Sequence, residues 1–303
     1  MSRTLILRPS AKVNLTLHVG ARRRDGYHDL RTLLQSVSLH DTLTFSARRG
    51  PFGLACRTPG VPSDRSNLVW RAAQALWTAI DRAGEPRDVH VRLEKGIPSQ
   101  AGLGGGSADA AAALVGLNTL WGGRQSRRDL MRLAATLGSD VPFFLQGGTA
   151  LGTGRGEELY PVDDVQRMGV IIVKPSFGVS TADAYGWLDA DRAEAAAGVQ
   201  AAPVEPGGRS AQVELGWPSG PVRLENDLMD PVARRHPAVG EMVQAFLAHG
   251  ASGALMSGSG SAVFGLFPET GVARVSRLLR RPDWLVLVAR TQSRREAARH
   301  MGL

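Results

Sequence analysis

The sequence holds one cysteine, Cys56, so no disulfide can form within the chain and a cysteine metal site has no support. No run of about eighteen apolar residues occurs, which excludes a membrane-spanning helix of the usual kind. Met1 to Ser10 lacks the apolar core of a secretory signal, and the expected location is the cytoplasm. Aromatic residues make up only 6%, and they do not interleave with basic residues as in a single-strand-binding groove. The net charge of +8 would suit nucleic acid, acidic membrane or phosphorylated small molecules. The arginines are scattered, however, and clusters such as Arg22-Arg23-Arg24 and Arg294-Arg295 are short, so neither nucleic acid nor membrane is the expected partner. With 303 residues at 43% hydrophobic, the chain can bury a sizeable core and is expected to form two domains. A monomer or weak homodimer is expected.

What is present centres on Gly96 to Asp109, which contains Gly102-Leu103-Gly104-Gly105-Gly106-Ser107 and runs into Ala110-Ala111-Ala112-Ala113-Leu114. Upstream, Val89, Val91 and Leu93 alternate with polar residues, the period of a half-buried strand. The order is therefore strand, glycine loop, helix. Glycines let backbone amides approach a ligand closely and adopt positive φ. The first-turn amides of the alanine-rich helix have no intrahelical partners, and with the helix dipole they suit a phosphate. No Gly-Lys-Ser/Thr follows, and G-x-G-x-x-G does not fit, so the common nucleotide loops are excluded. A flexible turn into a buried helix is the alternative.

In chain order, Thr4 to Arg8 reads as a strand. A second follows in which Val13, Leu15, Leu17 and Val19 face one way, and Lys12, Asn14, Thr16 and His18 the other. Alone, Lys12 would be a solvated strand end. The turn Arg22 to His28 presents Tyr27 and His28 together, able to stack on and hydrogen-bond a planar ring or simply to pack. Leu33 to His40 and Asp41 to Ala47 suggest strands. Asn67 caps a helix bearing Leu68, Ala72, Leu76 and Ile80, and Ser126 begins another that stops at Gly138. Asp140 then stands before apolar Phe143-Phe144-Leu145, where capping the next turn would be its ordinary role. Met168 to Lys174 reads as an interior strand and Thr181 to Ala190 as a helix. Ala195 to Pro221 reads as a long surface loop. Beyond it, a helix capped at Asn226, a helix over 237–249, strands near 253–256 and 262–267, a helix over 272–279 and a strand over 284–289 suggest a ferredoxin-like α+β sandwich. Ser257-Gly258-Ser259-Gly260-Ser261, between two of those strands, is either a plain hairpin turn or a second loop closing over the first.

Three stretches resemble the motifs of the GHMP kinases, the superfamily of galactokinase, homoserine kinase and mevalonate kinase: Pro9 to Leu15, Pro98 to Ala108, and Met256 to Ser261. Within it, Asp25-Gly26-Tyr27-His28, Gly138 to Phe144 and Glu225-Asn226-Asp227-Leu228 resemble the branch acting on a cytidylylated methylerythritol in non-mevalonate isoprenoid synthesis. The resemblance spans nearly the whole chain and covers Ala195 to Pro221 least. It implies an α+β, two-domain GHMP kinase fold: an N-terminal βα nucleotide-binding and catalytic domain over 1–162, and a C-terminal ferredoxin-like substrate-binding domain over 163–303.

The implied reaction is ATP-dependent phosphorylation of the tertiary 2-hydroxyl of that cytidine diphosphate substrate. By resemblance, Asp140 takes the hydroxyl proton and Lys12 screens charge near the attacking oxygen. Pro98, Gly102, Leu103, Gly104, Gly105, Gly106 and Ser107 would hold the nucleotide phosphates, with Asn67, Leu68 and Lys95 near the adenosine. Tyr27 and Tyr185 would sandwich the cytosine, His28 would read its polar edge, and Asn14 and Asp140 would contact the substrate. Mg²⁺ is expected, with Ser107 and Asp140 the nearest candidate ligands and no dedicated cage. The competing readings are another GHMP small-molecule kinase, a non-catalytic nucleic-acid binder, and a ligand sensor that has lost catalysis.

Overall fold

The computed structural model describes residues 4–197, 212–213 and 222–303. The first half runs β1 (Thr4–Leu7), β2 (Ser10–Arg22), β3 (His28–His40), β4 (Thr42–Pro51), β5 (Gly53–Cys56), α1 (Leu68–Ala79), β6 (Arg87–Glu94), α2 (Gly105–Leu120), α3 (Arg127–Leu137), α4 (Val141–Gln146), β7 (Thr149–Thr153) and β8 (Glu158–Pro161). The second half runs β9 (Gly169–Pro175), α5 (Thr181–Ala196), β10 (Gln212–Val213), β11 (Val222–Arg223), β12 (Glu225–Asn226), α6 (Met229–Arg235), α7 (Ala238–Ala248), β13 (Gly253–Met256), β14 (Val263–Phe267), α8 (Val272–Leu278), β15 (Trp284–Arg290) and α9 (Arg294–Met301). Among the described residues no helix is long and apolar enough to cross a membrane.

Two sheets, built from first-half strands with β12 of the second half at one edge, follow the orders β1-β4-β6-β5 and β12-β2-β3-β7-β8. Val89, Val91 and Leu93 of β6 are buried, as their alternation requires, and Leu43 and Phe45 of β4 join them. α2 is buried from Ala108 to Leu117, because alanine lets its neighbours close in on every side. At Gly116 the fit is tightest: a Cβ there would stand 2.7 Å from the Phe45 ring. α1 begins at an Asn67 cap and α3 at a reciprocal Ser126–Asp129 capping box, so both starts lie where side-chain oxygens satisfy free amides.

In the second half an antiparallel sheet of order β13-β14-β9-β15 places β9 inside. With helices between β9 and β13 and between β14 and β15, this is the expected ferredoxin-like succession. The chain then returns to the first half. β12 pairs in parallel with β2, Thr291 bridges to Val37, and the Arg8 amide donates to the His300 carbonyl at 2.9 Å.

Four expectations are corrected. Asn226 is a strand residue; its Oδ1 accepts from the Leu228 amide at 2.9 Å, while the helix itself starts at Met229 with Leu228 as its cap. The single alternation through β2 breaks, because its register on β3 shifts between Asn14 and Thr16, and Leu17 lines the same cleft as Lys12 and Asn14. The helix starting at Thr181 continues to Ala196, anchored by Asp191 to Arg234 and Arg235. Ala195 and Ala196 of the expected long loop therefore belong to α5, and 212–213 pair with 222–223; the rest of that loop lies outside the described residues.

Candidate active site

The loop between β6 and α2 turns through Gly102 and Gly104, whose φ values of +72° and +73° favour glycine. A Cβ at Gly102 would overlap the Ser257 carbonyl oxygen, and one at Gly104 would stand 2.5 Å from Phe144 Cζ and 3.2 Å from Lys12 Cγ. Three distant segments meet here. The Lys12 amide donates to the Leu103 carbonyl at 3.0 Å, the Ser257 hydroxyl to the Gly102 carbonyl at 3.0 Å, and the Ala262 amide to the Ala101 carbonyl at 3.3 Å. The loop over 257–261 thus closes against the glycine loop. Asn226 fastens it, donating through Nδ2 to the Met256 and Gly258 carbonyls at 2.8 Å each. The first helical bond of α2 runs from the Ala108 amide to Gly104, which leaves the amides of Gly105, Gly106 and Ser107 free of helical partners.

These segments line a cleft of about 1290 Å³. Lys12, on β2, is buried to 4% exposure; its Nζ donates to Asn14 Oδ1 at 2.6 Å and lies 3.6 Å from Asp140 Oδ2. Asn14 in turn donates to Thr32 Oγ1 at 2.8 Å, and Thr32 to the Thr16 carbonyl at 2.7 Å, so the ammonium is held by a chain of fixed groups. Asp140 occupies the cap position of α4 but makes no capping hydrogen bond, and its carboxylate is 41% exposed in the cleft. That carboxylate is available for chemistry.

At one end the cleft is aromatic. Tyr27 is 53% exposed and lies under the Arg155 guanidinium at 5.0 Å. His28 is buried, stacks against Tyr185 at 5.3 Å, and places Nε2 2.9 Å from Asp189 Oδ1. Burial, with the Asp140 and Asp227 carboxylates nearby, pushes the Tyr185 phenol well above its ordinary range, so it stays neutral.

At the other end Leu68, Lys95 and Pro98 line the cleft with the glycines. Asn67 is not among the lining residues; its Oδ1 accepts from the Val69 amide at 2.9 Å and its Nδ2 donates to the Pro62 carbonyl at 2.7 Å. The Lys95 ammonium is tucked beneath the loop, paired with Asp41 and with Asp109 at 2.7 Å. Asp41 also accepts the Gly96 and Ile97 amides at 2.7 and 2.8 Å, fixing the entry to the loop. Burial opposes the charge on Lys95, but Asp109 and Asp41 outweigh it and raise its pKa. Burial, reinforced by Asp41 against the pull of Lys95, drives Asp109 well above the usual carboxylate range.

Asp41, Asp109 and Asp189 were not singled out by the sequence. Asp41 stands 54 residues from Lys95, Asp109 ends the glycine stretch 14 residues on with nothing there to mark it as a partner of Lys95, and Asp189 carries only its place one turn after Tyr185. The other expected residues, Lys12, Asn14, Tyr27, His28, Leu68, Lys95, Pro98, Gly102 to Ser107, Asp140 and Tyr185, come together on one cleft.

Comparison with known proteins follows the same lines. Residues 67–148 match the GHMP kinases N terminal domain, and residues 213–282 match the GHMP kinases C terminal model. The chain is 44% identical over 288 residues to the 4-diphosphocytidyl-2-C-methyl-D-erythritol kinase of Pelotomaculum thermopropionicum, covering 93% of this chain and 96% of that one. The chain belongs to the 4-diphosphocytidyl-2-C-methyl-D-erythritol kinase family. The family member of Geobacter sulfurreducens is 39% identical over 295 residues, covering 95% of this chain and 99% of that one. A crystal structure of 4-(cytidine 5'-diphospho)-2C-methyl-D-erythritol kinase superposes with a TM-score of 0.75 at 34% identity, over 97% of this chain and 100% of that one.

Proposed function

We propose that this protein transfers the γ-phosphoryl group of ATP to the 2-hydroxyl of 4-diphosphocytidyl-2-C-methyl-D-erythritol, giving the 2-phosphate and ADP in the non-mevalonate route to isoprenoid precursors. The observation that carries the reading is the Lys12–Asp140 pair, set between the glycine cradle and the aromatic end of one cleft. The family of its relatives, named for that acceptor, supports it. In this reading residues 1–162 supply the nucleotide cradle and the catalytic pair, and residues 163–303 close the acceptor side through Tyr185.

Phosphoryl transfer through a loose transition state asks mainly for alignment and charge stabilisation. The amides of Gly105, Gly106 and Ser107, with the α2 dipole, hold the phosphates; Leu68, Lys95 and Pro98 border the nucleotide, and Asn67 acts by fixing the start of α1 beside Leu68. Asp140 orients the acceptor hydroxyl and takes its proton as the new oxygen–phosphorus bond forms and the bond to the β,γ-bridging oxygen breaks. The Lys12 ammonium, held by Asn14, stabilises charge on the attacking oxygen. Asn14 also faces the acceptor, while Tyr27, Tyr185 and His28 hold its cytosine.

Mg²⁺ fits this site as a partner of the nucleotide. Among the described residues no group of three or more histidine, cysteine or acidic side chains could hold a metal. Ser107 and Asp140 offer hard oxygens to the cleft, which suits an ion ligated mostly by phosphate and water. When bound, it neutralises charge on the transferring triphosphate.

The test is coupled ADP release with Mg-ATP, comparing the cytidylylated methylerythritol with homoserine, mevalonate and galactose as acceptors. Turnover with the first alone is expected. Turnover with another acceptor and none with the first would overturn the assignment.

A further inference from the structure

The aromatic end of the cleft contains a carboxylate to which no role has been given. Asp189 stands four residues after Tyr185 on α5, so the two side chains project from one helix face, and both line the cleft. Its Oδ1 is engaged by His28 Nε2 at 2.9 Å. Among the described residues its Oδ2 has no hydrogen-bond or ion-pair partner, and the side chain is 37% exposed. The His28 side chain, by contrast, is 6% exposed and lies against the Tyr185 ring, so the pair is anchored on one side and open on the other. An ionised carboxylate only accepts hydrogen bonds. The open oxygen therefore suits a ring that brings a donor.

We propose that Asp189 selects cytosine over uracil, with Oδ2 accepting the exocyclic amine of the base held at Tyr27 and Tyr185. The proposal rests on the cytidylylated acceptor assigned above. Stacking on tyrosine serves every pyrimidine, because each presents a π-face. The edges differ: cytosine carries the N4 amine as a donor where uracil-type bases carry the O4 acceptor. Against a carboxylate, O4 meets a second acceptor with no proton between them. A polar site built for a donor rejects an analogue lacking it far more strongly than an apolar pocket rejects a change in size. Asp189 thus adds choice to a pocket whose rings supply affinity.

The experiment compares the intact protein with Asp189→Asn and Asp189→Ala. Acceptors are the cytidine and uridine forms of diphospho-methylerythritol, and CDP and UDP serve as calorimetric ligands that report base preference without turnover. Asparagine keeps an oxygen for His28 and turns an amide donor toward the base. A charged hydrogen bond lost or turned repulsive is expected to lower kcat/KM for the cytidine form by about 10- to 100-fold. The uridine form should be unchanged or improved, and the KM for ATP and the melting temperature should stay as in the parent. Asp189→Ala should lower the cytidine form alone. Equal loss for both bases would mean that Asp189 acts only by orienting His28, and would overturn the proposal. An unchanged CDP-to-UDP preference would overturn it as well. Failure of the unmodified protein to phosphorylate the cytidine form would remove the acceptor assignment, while the CDP and UDP affinities would still report on Asp189.

Discussion

Lys95→Met tests whether the phosphate loop rests on a buried charge network. The Lys95 side chain is 7% exposed, and its partners Asp41 and Asp109 are 0% and 4% exposed. Methionine fills similar volume but leaves two adjacent carboxylates without a cation. Removing one member of a buried ion pair costs about 3–5 kcal/mol. At roughly 2–4 °C per kcal/mol, the melting temperature should fall by about 6–20 °C. The loss has a pH signature. Asp109 already holds its proton above the usual range, and without Lys95 that tendency grows, so protonation at acid pH lets Asp109 donate to Asp41 and relieves the repulsion. The assay is urea unfolding followed by fluorescence of Trp77 and Trp121, which meet edge-on at 4.9 Å beside α1 and α2. The deficit should be full near pH 8 and smaller near pH 5, and Lys95→Met/Asp109→Asn should recover at least half of it. A deficit below about 1 kcal/mol at pH 8, or one independent of pH, would refute the reasoning.

Two further perturbations follow from the same geometry. Gly104→Ala forces an alanine into positive φ and sets its Cβ against Phe144 and Lys12. Backbone strain of about 1–2 kcal/mol and overpacking of about 1–3 kcal/mol should appear together, with a raised KM for ATP; a melting temperature and KM equal to the parent's would dismiss the close fit. Asp109→Asn should remove a titration that works against stability. A carboxylate whose folded pKa lies above its unfolded value costs stability as pH rises from the unfolded value toward the folded one. The variant's melting temperature should therefore gain on the parent's as pH rises above the ordinary carboxylate range, and a difference independent of pH would contradict the assignment.

Local chemistry explains which parts were legible in the sequence. The path from β6 through the glycine loop to α2 was readable because alternation, glycine and alanine act within a few residues. Asn67, Ser126 and Gly138 marked helix ends for the same reason. The β2 bulge was not readable, since a shift in register depends on β3 and leaves the apolar pattern of β2 intact. Asn226 looked like a helix cap because its side chain does satisfy a free amide. Its place in a strand depends on pairing with Leu17, far away in the chain. α9 went unread although Ser293 and Glu296 form a capping box that could have revealed it; its arginines hide the short apolar face of Ala297 and Met301. In the candidate site, Lys12 and Asp140 each had an ordinary local explanation, and only the fold brings the buried ammonium to a carboxylate that caps nothing. Lys95 drew attention by resemblance, but its carboxylate partners come from the residue joining β3 to β4 and from α2.

In the proposed mechanism Asp140 takes the acceptor proton, and the Asp140→Asn variant tests that step. Asparagine keeps the shape and an oxygen toward the hydroxyl but is not a base. Single-turnover transfer from Mg-ATP to the cytidylylated methylerythritol should slow by about 10²- to 10⁴-fold, while the Kd for ATP and for the acceptor, measured by calorimetry, change little. A transfer rate within a few-fold of the parent's, in a variant that binds both substrates normally, would contradict the account.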